Sequence, residues 1–198
     1  MIVTKKAFDF TALTVMGDNE IKQTNLSDHM GKNGIILFFY PKDFTFVCPS
    51  EIIAFDNKLE EFNEKGYNII GCSVDNEFCH LAWKNTEVNK GGIGQIRYPL
   101  ISDIKKEISK EYDVLFDESV SLRASFLIDN KMTIRHCVIN DLPLGRSIDE
   151  MLRMADALNF HNENGDVCPA NWKKGSEAMK ATPEGVSNYL KNNSNDLK

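Results

Sequence analysis

The 198-residue chain has no long apolar run: its longest is Ile35 to Tyr40, bounded by Gly34 and Pro41, which suits a buried strand and not a membrane span. Met1 to Phe10 carries two lysines, but no apolar stretch follows that would make a signal peptide. We therefore expect an untargeted, cytoplasmic protein without a membrane partner. An excess of basic charge is also missing. Lys plus Arg is 23 against 29 Asp plus Glu, and a net charge of −6 gives no electrostatic reason for a nucleic-acid partner. The five cysteines, at 48, 72, 79, 137 and 168, are odd in number and far apart, unlike the framework of a small secreted domain. No Cys-x-x-Cys or His-x-x-x-His spacing occurs, and His29, His80, His136 and His161 are scattered, so no metal site is expected. Gly91, Gly92 and Gly94 lack the further glycine and acidic residue of a dinucleotide fingerprint. No cofactor is called for.

What is present is an alternation of strand and helix patterns. A polar lead-in with Gly17, Asp18 and Asn19 precedes the strand at 35–40. Ile52, Phe55, Leu59 and Phe62 then repeat at helical spacing until Gly66, so this helix begins near Cys48. Tyr67 to Val74 reads as a second strand, Phe78 to Trp83 as a helix, Tyr98 to Ser102 as a strand, and Ile104 to Tyr112 as a helix. Ser125 to Ile128 and Thr133 to Ile139 form a predicted hairpin. A long helix uses Ile148, Met151, Leu152, Ala155 and Leu158 and ends in the turn residues from Asn162; Thr182 and Pro183 open a last short helix before a fraying tail. This order argues for an α/β mixed sheet flanked by helices, in the manner of thioredoxin-like folds. The expected division is a domain over 1–161 and a mobile C-terminal arm over 162–198.

Chemistry concentrates at Pro41-Lys-Asp-Phe-Thr45-Phe-Val-Cys48-Pro-Ser-Glu51, between the strongest strand and the strongest helix. A cysteine in the first turn of a helix faces unpaired N–H groups and the positive end of the dipole, and both favour a thiolate. Ionisation alone is a small effect beside the acceleration enzymes need, so donors aimed at the charge that develops in the reaction must supply most of it. Cys72, Cys79 and Cys137 lie in apolar strand or helix patterns and are expected to pack in the core.

Four segments carry a resemblance to the typical two-cysteine peroxiredoxins, the thioredoxin peroxidases: FYPKDFTFVCPSE (39–51), DNEFCHLAW (75–83), NDLPLGRSIDE (140–150) and GDVCPANW (165–172). The resemblance implies that Cys48 is the peroxidatic nucleophile, that Thr45 hydrogen-bonds the peroxide, and that Pro41 shields the thiolate. Arg123, in LRASF, matches the family's active-site arginine; Arg146, in LPLGRS, would support it, and Glu51 would orient both. Cys168 would resolve the sulfenic acid that peroxide leaves on Cys48. The 120-residue gap between the two cysteines does not say whether their bridge lies within or between chains. The resemblance implies an intersubunit Cys48–Cys168 disulfide in a homodimer, decamers built from five dimers, reduction by thioredoxin, and hydrogen peroxide and alkyl hydroperoxides as substrates in antioxidant defence.

One departure stands out. The Gly91-Gly92-Ile93-Gly94 loop resembles the element that pairs with a C-terminal Tyr-Phe helix in over-oxidation-sensitive members, but this chain has Tyr189-Leu190, which predicts intermediate sensitivity. Rival functions are weaker. A dithiol oxidoreductase lacks its motif, a cysteine hydrolase lacks a histidine in the Cys48 segment, and a redox-regulated chaperone or signalling scaffold could coexist with the enzyme.

Overall fold

The computed structural model describes residues 2–195. It contains two compact units, Met1–Ile148 and Asp149–Lys198. The first holds a seven-stranded sheet in the order β2-β1-β5-β4-β3-β8-β9, made of β1 (Thr11–Val15), β2 (Ile21–Asn25), β3 (Gly34–Phe39), β4 (Tyr67–Ser73), β5 (Leu100–Ser102), β8 (Arg123–Asp129) and β9 (Ile134–Asn140). A separate two-stranded ribbon joins β6 (Leu115–Phe116) to β7 (Val120–Ser121). The helices are α1 (Cys48–Asn57), α2 (Leu59–Glu64), α3 (Glu77–Lys84) and α4 (Glu107–Glu111), with α5 (Ile148–Asn164) and α6 (Pro183–Asn193) following. The sheet is mixed as expected: β3 is parallel to β4 and β4 to β5, while β8 pairs antiparallel with β3 and β9.

Every residue of β3 is buried, which is why its sequence is a continuous apolar run and does not alternate. On one face Ile35, Leu37 and Phe39 join Ile70, Cys72, Phe126 and Tyr112 in a single cluster. On the other, Phe38 stacks on Phe55 of α1 at 4.4 Å between centroids and meets Tyr98 edge-on at 5.8 Å. Burying each such aromatic contributes about 2 kcal/mol. These contacts set α1 against the sheet and place its first residue, Cys48, beyond the C-terminal end of β3. Gly34 opens β3 because a Cβ there would lie 2.0 Å from the Ile128 carbonyl oxygen of β8.

Three local expectations are corrected. The polar lead-in folds as the β1–β2 hairpin, and β1 adds antiparallel to β5; polar Lys22, Gln23 and Thr24 serve an edge strand that a search for apolar runs passes over. The helix read from Cys48 to Gly66 is two helices, because Lys58 (φ −105°, ψ 7°) leaves the helical path and its N–H turns to Phe55 O at 3.2 Å. The helix read over 104–112 begins only at Glu107: Lys106 is left-handed at φ 61°, and the Asp103 carboxylate accepts the Ile108 and Ser109 N–H groups at 3.0 and 2.7 Å. The β6–β7 ribbon was not foreseen at all. The hairpin at β8–β9 is as expected, with β8 extended at both ends and β9 shifted one residue along from the expected 133–139.

In the second unit, the buried residues Met151, Leu152, Ala155 and Leu158 of α5 keep the predicted spacing. Phe160 packs on Trp172 at 4.9 Å, Arg153 donates to Trp172 O at 2.8 Å, and Val167 bridges to Met179. Thr182 caps α6, its hydroxyl accepting from Gly185 N at 3.0 Å with Pro183 in the first turn. Residues 196–198 of the expected fraying tail lie outside the described residues. Among the described residues no helix is long and apolar enough to cross a membrane.

Candidate active site

Cys48 is the first residue of α1, fully buried. Two donors reach its sulfur: the Thr45 hydroxyl, with Oγ1 3.0 Å from Sγ, and Arg123 Nη1 at 3.3 Å. Arg123 is the first residue of β8, where the antiparallel pairing of Phe39 with Ala124 brings it beside the end of β3. Its Nε donates to Leu142 O at 2.6 Å and its Nη1 also to Glu51 Oε2 at 2.8 Å, so the guanidinium is held from both sides.

Glu51, one helical turn after Cys48, is the hub for both arginines. Arg146 donates to it through its backbone N–H and Nε (both 2.9 Å to Oε1) and through Nη2 (2.8 Å to Oε2). Arg146 Nη1 donates to Phe39 O and Ala124 O, both at 2.7 Å, and the guanidinium lies 5.2 Å over the Phe38 ring. One buried cation thereby ties α1 to β3 and β8. Burial pushes the Glu51 carboxyl up, but the hydrogen bonds and charge of Arg146, then the charge of Arg123, outweigh it and hold Glu51 below the ordinary carboxylate range. Two guanidiniums against one carboxylate leave this cluster one positive charge in excess next to the sulfur.

The Thr45 hydroxyl has a single hydrogen and two acceptors in reach, Lys42 O at 2.7 Å and Cys48 Sγ at 3.0 Å. With a neutral thiol, the S–H can donate to Oγ1 while the hydroxyl donates to Lys42 O. With a thiolate, the hydroxyl turns to sulfur. Thr45 can thus follow the charge on Cys48 without moving its oxygen. Pro41, buried, directly follows β3 and begins this loop.

The structure therefore brings together Pro41, Thr45, Cys48, Glu51, Arg123 and Arg146. Cys168 lies in the second unit, half-buried, its thiol 3.5 Å from Ala157 O; burial pushes it up, opposed by the charge of Arg153. Cys72 is a core residue as expected, and Cys137 packs partly against the same cluster. Cys79 is not in the core: it faces Asp43 and Asp75, and burial with those charges pushes it up to about 12. Asp43, Asp75 and Cys79 form the one metal-like cluster among the described residues. Their atoms are already committed, Asp43 to Tyr40 and His80 and Asp75 to Ser73, and so high a thiol is a poor thiolate ligand. Sequence reasoning passed over Asp43 and His80; the only signal was their place inside two of the four quoted segments.

Residues 3–137 match the AhpC/TSA family and residues 157–192 the C-terminal domain of 1-Cys peroxiredoxin. The chain is 61% identical over 195 residues to an alkyl hydroperoxide reductase C of Helicobacter pylori, covering 98% of each, and 49% identical over 189 residues to peroxiredoxin-1 of Gekko japonicus, covering 95% of this chain and 94% of the relative. Among solved structures, the reduced 2-Cys peroxiredoxin of Plasmodium vivax superposes with a TM-score of 0.94 at 53% identity, over 96% of this chain and 99% of that one. The thioredoxin-like sheet, the buried thiol beneath two donors, and relatives matched nearly end to end place this chain in the AhpC/TSA family, as a peroxiredoxin peroxidase.

Proposed function

We propose that this peroxidase works through Cys48 as attacking thiolate and Cys168 as resolving thiol, on hydrogen peroxide and alkyl hydroperoxides. The observation that carries the reading is the convergence of Thr45 Oγ1 and Arg123 Nη1 on the buried Cys48 sulfur. The excess positive charge of the Arg123–Arg146–Glu51 cluster supports an anion at that position. The sulfur attacks the terminal peroxide oxygen in line with the O–O bond. That bond breaks, the departing oxygen takes a proton to leave as water or an alcohol, and Cys48 becomes a sulfenic acid. Arg123 and Thr45 donate to the oxygens as charge shifts onto them, and buried Pro41 keeps bulk water from the sulfur.

Cys168 of the partner subunit then attacks the sulfenic sulfur, releasing water and leaving an intersubunit disulfide. Disulfide geometry requires Cα atoms within about 4.4–6.8 Å, so the first turn of α1 has to open and the arm carrying Cys168 has to move. A thioredoxin dithiol returns both cysteines to thiols. We take residues 1–161 as the peroxidase domain and 162–198 as the resolving arm, in a homodimer able to form decamers in the cytoplasm. The test is a non-reducing gel after peroxide, comparing wild type, Cys48→Ser and Cys168→Ser, alongside thioredoxin-coupled turnover. A covalent dimer in the wild type that is absent from both variants is expected; a dimer or peroxide turnover persisting in Cys48→Ser rules the reading out.

A further inference from the structure

The loop carrying Thr45 hangs from a buried cluster that the reaction above does not use. Asp43 accepts at Oδ1 from the Tyr40 phenol at 2.8 Å, and its Oδ2 lies 2.8 Å from His80 Nδ1. Its backbone N–H donates to Asp75 Oδ2 at 2.8 Å, and the same oxygen accepts the Ser73 hydroxyl at 2.9 Å. His80 is fully buried on α3, with Nε2 3.1 Å from the Ile101 carbonyl oxygen. A carbonyl oxygen only accepts, so Nε2 carries a hydrogen. A contact of 2.8 Å between Nδ1 and a carboxylate oxygen needs another, and Tyr40's single hydrogen is already given to Oδ1. The contact therefore encloses one proton between His80 Nδ1 and Asp43 Oδ2.

The residue after Asp43 shows why the loop needs holding. Phe44 is left-handed at φ 53°, a strained conformation for a residue with a Cβ. Its neighbours compensate: Asp43 is fixed by three hydrogen-bonding contacts, and the Phe44 ring leans on Trp83 of α3 at 5.6 Å. The turn so formed brings the Thr45 hydroxyl over Cys48.

We propose that Asp43 and His80, with the proton enclosed between them, are the positioning pair of the thiol site, fixing the Pro41–Val47 loop so that Thr45 Oγ1 stands at hydrogen-bonding distance from Cys48 Sγ. The inference rests on the peroxidase reading of Cys48. No hydrogen bond links either residue to the sulfur, so their effect passes through Thr45. In Asp43→Asn the amide oxygen can still accept from Tyr40, but the NH2 then faces His80 Nδ1, which must accept, so the enclosed proton is lost and the contact reverses its direction. The loop then relaxes, and displacements of an ångström at a reacting centre are costly.

The experiment measures the second-order rate of Cys48 oxidation by hydrogen peroxide in pre-reduced protein, for wild type, Asp43→Asn, His80→Gln, Thr45→Val and the doubles with Thr45→Val, with folding followed by circular dichroism. The single changes at 43 and 80 are expected to slow oxidation roughly tenfold or more, yet to change it by less than about twofold once Thr45 is valine. A loss of the same factor in both backgrounds, or singles within about twofold of wild type, overturns the proposal. Proton NMR of the unmodified protein supplies an independent readout. A downfield, exchange-protected proton resonance from the His80–Asp43 contact is expected, and its absence overturns the enclosed proton even if the variants do not fold. Peroxide consumption persisting in Cys48→Ser would instead remove the peroxidase reading itself.

Discussion

At the scale of single residues, the donors around Cys48 can be separated by substitutions that keep shape and remove function. Thr45→Ser retains the hydroxyl and should oxidise within a few-fold of wild type, whereas Thr45→Val should lose about 10²-fold, the usual cost of one donor aimed at a developing charge. Stopped-flow oxidation of Cys48 by hydrogen peroxide reads both; equal rates for the two variants would show that the hydroxyl does not act. Glu51 calls for a different measurement because its role is electrostatic and structural together. Glu51→Gln leaves two buried guanidiniums without their counter-charge and should cost about 3 kcal/mol in urea denaturation. The sign of the pH dependence follows from the direction of its shift. Arg146 and Arg123 depress the folded value below the unfolded one, so the stabilisation is complete above the ordinary carboxylate range and is lost as pH falls through the depressed value. The stability gap between wild type and Glu51→Gln should therefore be widest at neutral pH and narrow below about pH 4. A gap that stays constant on acidification would mean that packing, not charge, accounts for it.

At the scale of elements, what could be read in advance was whatever rests on apolar spacing or on a cap. β3 announced itself because both of its faces are buried, and α6 because Thr182 and Pro183 are chemically suited to open a helix. β1 and β2 stayed hidden because an edge hairpin buries little, and the break at Lys58 because packing of Phe55 and Phe62 on one side continues across it. The Cys48 segment was legible as a strand-to-helix junction, yet Arg123 and Arg146 reach it only through β8 pairing and the return of the 141–146 loop, which spacing does not encode. Asp43 and His80 were illegible for the same reason: they meet across 37 residues. α6 also carries a prediction. Tyr189 is buried while Leu190 is 44% exposed, and the second aromatic of the Tyr-Phe pair is missing. If α6 slows the opening that Cys168 needs, Leu190→Phe should lower the peroxide concentration that half-inactivates the enzyme during turnover, with sulfinic acid on Cys48 seen by mass spectrometry. An unchanged concentration would separate α6 from over-oxidation.

At the scale of the whole molecule, the two ends of the sheet differ. β2 ends it on one side with five residues that present Lys22 and Gln23, polar chemistry that discourages pairing. β9 ends it on the other with seven residues, IRHCVIN, that include Val138 and an Ile139 44% exposed. Ile134 at its start is already paired with Thr4 and Lys5, but the stretch after it, with Val138 and Ile139, is a template for another strand, and a second copy of β9 is the partner consistent with the homodimer proposed above. A charge placed on it should then act on assembly and chemistry in different ways. Ile139→Lys is expected to shift the reduced protein toward monomer in sedimentation velocity and to abolish the covalent dimer after peroxide, because Cys168 of the partner subunit is no longer at hand. Cys48 should still be oxidised at close to the wild-type rate, since Thr45, Arg123, Glu51 and Arg146 all come from the same chain, and the sulfenic acid should persist long enough to be trapped by dimedone. Retention of the dimer would place the interface elsewhere on the molecule, and an intact Cys48–Cys168 bridge in a monomer would move resolution into a single chain.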